Sequence, residues 1–206
     1  MHSVFEILEE TTASAGPDLI TLDQLKFALG IADDSEDARL QAAITFQSRI
    51  IADYCDRRFG FAQAMETFHF DPGEYLTARQ GLVLKLYPVV QVGEVSTLGA
   101  TAGGWHVDPE TGRLWIGATA PGDVISVVYA GGYDLPEEAP ARLQQAIILS
   151  VNESRNSGTR DPGIQSVQHG DTRVSYFSST TSTGTAGYLS APVIDLVRAY
   201  KRVNIA

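Results

Sequence analysis

The only cysteine, Cys55, stands in a charged run, Asp53-Tyr54-Cys55-Asp56-Arg57-Arg58. Such company could make a nucleophile, because the thiolate is the reactive form and nearby cations favour it. The position works against it. Apolar spacing predicts a helix from about 36 to 57, which puts Cys55 near the negative end of a helix dipole, where a thiolate is disfavoured. No histidine is close in sequence, and His69 lies past a helix terminator in a predicted strand. Cys55 therefore reads as a packing residue, and Arg57 and Arg58 as cations suited to the helix end.

Asp108 and Glu110 form a second candidate, a carboxylate pair of the kind used in acid–base catalysis. They fall in "DPETG", whose turn chemistry accounts for both without catalysis. The histidines at 2, 69, 106 and 169 are isolated, so no metal-ligand spacing emerges. The acidic "ADDSED" before the long helix suits N-capping with Asp34 or Ser35, and lacks the order of a calcium loop. The chain contains no phosphate-cradling glycine loop, dinucleotide fingerprint, G-x-S-x-G elbow or H-E-x-x-H pair. Neither a cofactor nor a metal is expected. The densest basic group is Arg198, Lys201 and Arg202, near the end of the chain.

Composition frames these residues. Of 206 residues, 44% are hydrophobic and 19% charged, the range of a packed globular chain. The net charge of −10 opposes tight capture of nucleic acid while allowing DNA to slide past. A single cysteine excludes an internal disulfide, and no apolar run approaches the ~20 residues that span a bilayer. The opening "MHSVFEILEE" lacks the features of a secretory signal, so a cytoplasmic protein, or one assembled there, is expected.

The elements that must position these residues alternate in texture. "SVFEILEETT" permits either a short strand or a helical turn. "TLDQLKFALGI" predicts a helix capped by Thr21 and closed by Gly30. The helix from about 36 to 57 carries a stripe of Leu40, Ala43, Ile44, Ile50, Ile51 and Tyr54, with Gln47 inside it and Phe46 at its edge. From Phe61 to Tyr133 the pattern is a strand meander, with "VDPETGRLWI" as its clearest hairpin and Pro88 at an edge or bulge. A long helix is predicted from near Pro136, with Leu143, Ala146, Ile147, Ser150 and Val151 on one face. A hairpin turning at His169-Gly170-Asp171 and a polar arm, "SSTTSTGTAG", follow. The last helix starts at Ser190 and Pro192. The fold class is α+β: a small bundle of amphipathic helices with an inserted antiparallel β meander or sandwich. It reads as a single domain over 1–206. Helices are expected at about 21–58, 136–157 and 189–202, the β-rich insertion at about 61–133, and the hairpin and arm at about 164–188.

The order of these elements resembles the head-to-tail connector, or adaptor, proteins of tailed bacteriophages and gene transfer agents. "LITLDQLKFALGI" with "DDSEDARLQAAITFQSRIIADYCDRRF" is similar to the family's opening helix pair, which ends in a Tyr-x-x-Arg-x-Phe-like sequence. "LVLKLYPVVQV" resembles its Leu-x-x-x-Pro-Val-x-x-Val strand. "VDPETGRLWI" and "VISVVYAGGYDLPEEAPARLQQAIILSV" resemble its Asp-containing hairpin, its Val-x-Tyr-x-x-Gly-Tyr strand and the Pro-led helix after it. "YLSAPVIDLVRAYKR" resembles the closing helix. The chain departs from the pattern with Ala52 and Asp56, where Glu and Gly are often found, and with a longer polar insert at 178–187.

The resemblance implies a structural virion protein of the neck rather than an enzyme. Such proteins form a homo-oligomeric ring, usually of twelve subunits, beneath the portal protein. The ring extends the DNA channel and meets a stopper or tail-completion protein, with no membrane involved. On this reading Arg198, Tyr200, Lys201 and Arg202 are candidates for portal docking, and deleting 198–206 should abolish docking and leave the fold intact. Phe46, Ile148, Leu149, His169, Arg173 and Tyr176 are candidates for the subunit interface. Two other functions fit parts of the sequence. A β-rich tail or baseplate accessory module would explain the meander, and a small hydrolase would use Cys55 or Asp108 and Glu110.

Overall fold

Alternating residues build the strands, and 3.6-residue stripes build the helices, of a chain known here from a computed structural model. It describes residues 2–10, 18–71, 73, 81–97, 100–101, 103–117, 122–158, 166–169, 172–175 and 189–202. The expected arm at 178–187, and Tyr176, lie outside these residues. The chain divides into two compact units. One comprises Met1–Pro17, Cys55–Ala139 and Lys201–Ala206, and the other Asp18–Tyr54 and Pro140–Tyr200. We call them the β unit and the helical unit; together they make an α+β protein.

In the β unit the strands are β1 (His2–Glu10), β2 (Ala62–His69), β3 (Leu82–Val83), β4 (Val89–Thr97), β5 (Ala100–Thr101), β6 (His106–Asp108), β7 (Arg113–Trp115) and β8 (Val124–Gly131). The opening segment, which the sequence leaves between strand and helical turn, is thus a nine-residue strand. Five strands form an antiparallel sheet in the order β1-β2-β8-β4-β5, and three form a second in the order β3-β7-β6. Strict alternation along β2 and β8 sends Ala62, Ala64, Phe68, Ile125, Val127 and Tyr129 inward. They meet Leu82, Leu84, Leu86 and Leu114 in one apolar core.

Turn chemistry fixes the ends of these strands. In the β6–β7 hairpin Asp108 accepts hydrogen bonds from Glu110 N at 3.1 Å and Thr111 Oγ1 at 2.6 Å. Gly112 closes the turn at φ 64°, and a Cβ there would fall 2.8 Å from that of Tyr87. At the end of β8, Gly132 has φ 104° and lies so close to Gly60 that a Cβ would stand 2.6 Å from its carbonyl oxygen. That approach lets Tyr133 N reach Phe59 O at 2.8 Å, and Phe61 N reach Tyr133 O at 2.8 Å.

In the helical unit α1 (Leu22–Leu29) opens on a reciprocal capping box. Gln24 N donates to Thr21 Oγ1 at 3.1 Å, and Thr21 N to Gln24 Oε1 at 2.9 Å. Gly30 closes it in the left-handed region. The long helix α2 (Asp37–Cys55) buries Leu40, Ile44, Gln47, Ser48, Ile51 and Cys55. Its buried stripe is therefore rotated from the expected one: Ile50 and Tyr54 are only partly covered, and the small residues Ser48 and Cys55 face inward. The acids before α2 hold Lys26, whose Nζ lies 2.5 Å from Asp34 and 2.8 Å from Asp37. These two carboxylates raise the Lys26 pKa, the Asp34 hydrogen bond most.

The next helix, α3 (Ala141–Gly158), begins five residues later than Pro136 suggests. Pro140 is the reason. In a helix begun at 136 its ring would clash with the preceding turn, whereas just ahead of Ala141 it costs nothing. Its carbonyl accepts from Leu143 N at 2.8 Å and Gln144 N at 3.1 Å. The face formed by Leu143, Ala146, Ile147, Ser150 and Val151 is buried. Strands β9 (Ser166–His169) and β10 (Thr172–Ser175) form a two-stranded hairpin. The last helix, α4 (Ala191–Val197), runs into a 3-10 turn at Arg198–Tyr200 and packs on α3. Its N-cap Ser190 donates to Glu153 Oε1 at 3.0 Å rather than capping its own helix.

Candidate assembly surfaces

Charges buried in the β unit decide which residues remain for partners. On the inward row of β2, between Ala64 and Phe68, stands Glu66, fully buried. Arg202 reaches it with Nη2 at 2.6 Å of Glu66 Oε1, both side chains shut off from solvent. The same arginine donates from Nε to Val83 O at 2.7 Å and from its backbone N to Cys55 O at 2.8 Å. Glu66 Oε2 accepts from the Tyr129 hydroxyl at 3.1 Å and from Lys85 N at 3.0 Å. Tyr129 in turn accepts from Lys85 N at 3.1 Å and Leu86 N at 3.2 Å. Burial, with the Glu66 charge beside it, drives the Tyr129 pKa up, so the hydroxyl stays a donor.

Arg202, expected at a docking surface, is thus held inside its own chain. A guanidinium that meets a buried carboxylate cannot also present itself to a partner. Arg198 and Lys201 are exposed and Tyr200 is partly covered, so these three remain on the surface of the terminal segment.

Arg57 departs from its expected place in the same way. It is 4% exposed, and its guanidinium carbon lies 3.2 Å from the centroid of the Tyr87 ring and 4.7 Å from that of Phe59. Nη2 donates to Tyr87 O. Burial lowers its pKa, and the same burial raises that of Tyr87. The arginine and phenylalanine of the Tyr-x-x-Arg-x-Phe-like sequence are therefore a stacked pair, not a charged helix end. Between them and α2, Asp56 takes φ 48°, the left-handed conformation that favours Gly. Its carboxylate lies 3.8 Å from both Lys85 Nζ and Arg202 Nη1.

The chemical candidates find structural roles. Cys55 is buried, and desolvation pushes its thiol up to about 12, far from a thiolate at neutral pH. Hydrogen bonds, the one from Thr111 first, lower the Asp108 pKa, so this carboxylate braces its turn as an acceptor. Among the described residues no group of three or more His, Cys, Asp or Glu could hold a metal ion. No described helix is long and apolar enough to cross a membrane.

Apolar residues turned to solvent are the other partner signal. Phe46 on α2 is 59% exposed and Phe27 on α1 is 92% exposed. In the β unit Val90 on β4 is 67% exposed, and Val4 and Leu8 project from β1. Phe46 was legible as the edge of a stripe; Phe27 was not, being one apolar residue among many in α1. Ile148 and Leu149 are half-buried beside the covered face of α3. His169 and Arg173 lie on the two strands of the hairpin, opposite Thr172 and Gln168. Glu66 had a signal that the sequence reading passed over: a carboxylate on the inward row of an alternating strand calls for a buried cation.

Residues 19–87, covering α1, α2, β2 and the start of the Leu-rich segment, match the phage gp6-like head-tail connector protein family. That stretch is about a third of the 206-residue chain, and over it the chain is similar to the head-tail connector family. No curated protein matches it. The fold of this protein is similar to that of a chain from the virion of a native gene transfer agent particle. The identity is 15%, the TM-score 0.53, and the match covers 98% of this chain and 97% of the other. A chain from the neck of an empty gene transfer agent particle, computed with C6 symmetry, is similar at 17% identity and a TM-score of 0.52. That match covers 100% of this chain and 98% of the other. These likenesses extend the fold over both units, beyond the stretch that the family match spans.

Proposed function

We propose that this protein is a head-tail connector, a structural virion protein of the neck, where it forms a closed ring under the portal and continues the DNA channel to a stopper or tail-completion protein. The observation that carries the reading is the connector-family match over α1, α2 and β2. The acidic balance supports it, since a wall of net charge −10 per subunit lets DNA pass without holding it. A ring of twelve follows from the family resemblance, and the sixfold symmetry applied to the neck of one fold relative fits a multiple of six. The role needs no catalysis.

Within that reading Arg198, Tyr200 and Lys201 dock on the portal, and Phe46, Ile148, Leu149, His169 and Arg173 face neighbouring subunits. The connector reading is preferred to a β-rich accessory module because the family match begins with α1 and α2, for which such a module gives no role.

Negative-stain microscopy of particles made with an early stop codon in this gene tests the proposal. DNA-filled or leaking heads accompanied by separate tails are expected. Complete tailed particles would overturn it.

A further inference from the structure

The five-stranded sheet ends on β1, and the far edge of β1 has no partner strand among the described residues. An open edge presents a row of unpaired N–H and C=O groups to which another strand can add. Proteins usually guard such edges with Pro, Lys or bulges. His2–Glu10 contains neither Pro nor Lys, and its pairing is regular from His2 to Ile7, with one irregularity between Ile7 and Glu9 near its end. The opposite edge is blunted: β4 is irregular at Val89/Gln91 and Val92/Glu94, and β5 covers its end. Exposed Val4 and Leu8 add apolar surface to the open strand.

The helical unit holds the complementary piece. Strands β9 and β10 pair from Ser166↔Ser175 to His169↔Thr172 and join no other strand among the described residues. A lone two-stranded hairpin is marginal in water and gains stability from a third strand. Valines stand opposite each other at its centre, Val167↔Val174.

We propose that the β9–β10 hairpin of one subunit adds to the β1 edge of the next, extending its sheet across the boundary between subunits. The inference rests on the ring reading above. Charge selects this occupant over others. A second β1 would bring Glu6, Glu9 and Glu10 against the same three acids, and like charges on facing strands repel. The β4 edge carries Glu94. The hairpin, in contrast, has Asp171 balanced by Arg173, so it brings no net negative charge to the acids of β1. Donor and acceptor are different surfaces, so each subunit gives a hairpin and receives one. Such a heterologous contact closes into a ring when the rotation allows.

Cysteine cross-linking in the full-length protein tests this. Cys55 is buried and stays silent. One preparation carries Val4→Cys, Glu6→Cys or Leu8→Cys and the other Arg173→Cys; they are mixed and treated with a short bismaleimide. A covalent dimer containing one chain of each kind is expected for at least one pair, with a ladder of higher species when both cysteines share a chain. Rings seen by light scattering and microscopy without any mixed dimer would overturn the hairpin contact and leave the ring reading standing. Absence of both rings and cross-links at high concentration would overturn both. As a second measure, Glu6→Arg should lower ring yield at least tenfold, and Arg173→Glu in the same chain should restore it; no restoration counts against the contact.

Discussion

Glu66 and Arg202 meet at 2.6 Å inside the β unit although 136 residues separate them in sequence. Both side chains are fully shielded from solvent. An isolated charge there would be very costly, and the pair survives because its members share hydrogen bonds with Tyr129, Lys85 N and Val83 O. Arg202 is thereby tied to β2, the second strand of the sheet.

Removing one partner should therefore cost more than removing both. Glu66→Leu or Arg202→Met alone should destabilise the protein by about 3–5 kcal/mol, because the remaining charge stays buried without its counterion. The double variant should recover most of that loss. Urea denaturation of the four proteins measures the coupling. Additive losses would mean that the two charges do not depend on each other.

The stacked arginine gives a separate prediction. Arg57→Ala removes a planar cation from between Tyr87 and Phe59, which should cost about 2 kcal/mol or more. Arg57→Lys should rescue little of this, since an ammonium cannot stack or donate in the same plane. A melting temperature for the Lys variant close to that of the natural protein would show that charge alone matters at this position.

Cys55 should respond to pH in a defined direction. Burial raises its pKa to about 12 in the folded chain. In the unfolded chain the thiol ionises near pH 9, so from there upward the unfolded state loses a proton that the folded state keeps. Stability from this group is complete below about pH 9 and is lost as pH rises towards 12. Compared with Cys55→Ala, the natural protein should lose about 1.4 kcal/mol more per pH unit within that window. The thiol should also resist labelling at pH 8 until denaturant is added; rapid labelling of the folded protein would place Cys55 nearer the surface.

How much of this was readable in the chain depended on whether a residue acts locally. Thr21, Gln24 and Gly30 bound α1 through contacts within a few positions, and the Asp108–Gly112 turn is equally self-contained. Alternation in β2 and β8 was visible, and with it the α+β class. The start of α3 was misplaced because two prolines, Pro136 and Pro140, both carry a first-turn signal and only the second is used. Arg57 and Arg202 were misread for a different reason. Each sits at a helix end or chain end, where a cation is normally solvated, and the partners that bury it are Tyr87 and Glu66, far away in sequence. Spacing along the chain carries no information about such pairs.

The buried role of Arg202 also changes how portal docking must be tested. Deleting 198–206 removes the anchor of Glu66 together with the exposed cations, so the truncated chain should lose at least as much stability as Arg202→Met. Lost binding would then say nothing about docking. Replacing Arg198 and Lys201 together by Glu keeps Arg202 in place and reverses two exposed charges. Exposed charges of this kind contribute about 1 kcal/mol or less to folding, so the melting temperature should hardly move. If this segment meets the portal, co-sedimentation of the double variant with portal rings should fall at least tenfold and recover partly at low salt for a variant that reverses only Lys201. Undiminished co-sedimentation of a well-folded double variant would move the docking surface away from the end of the chain.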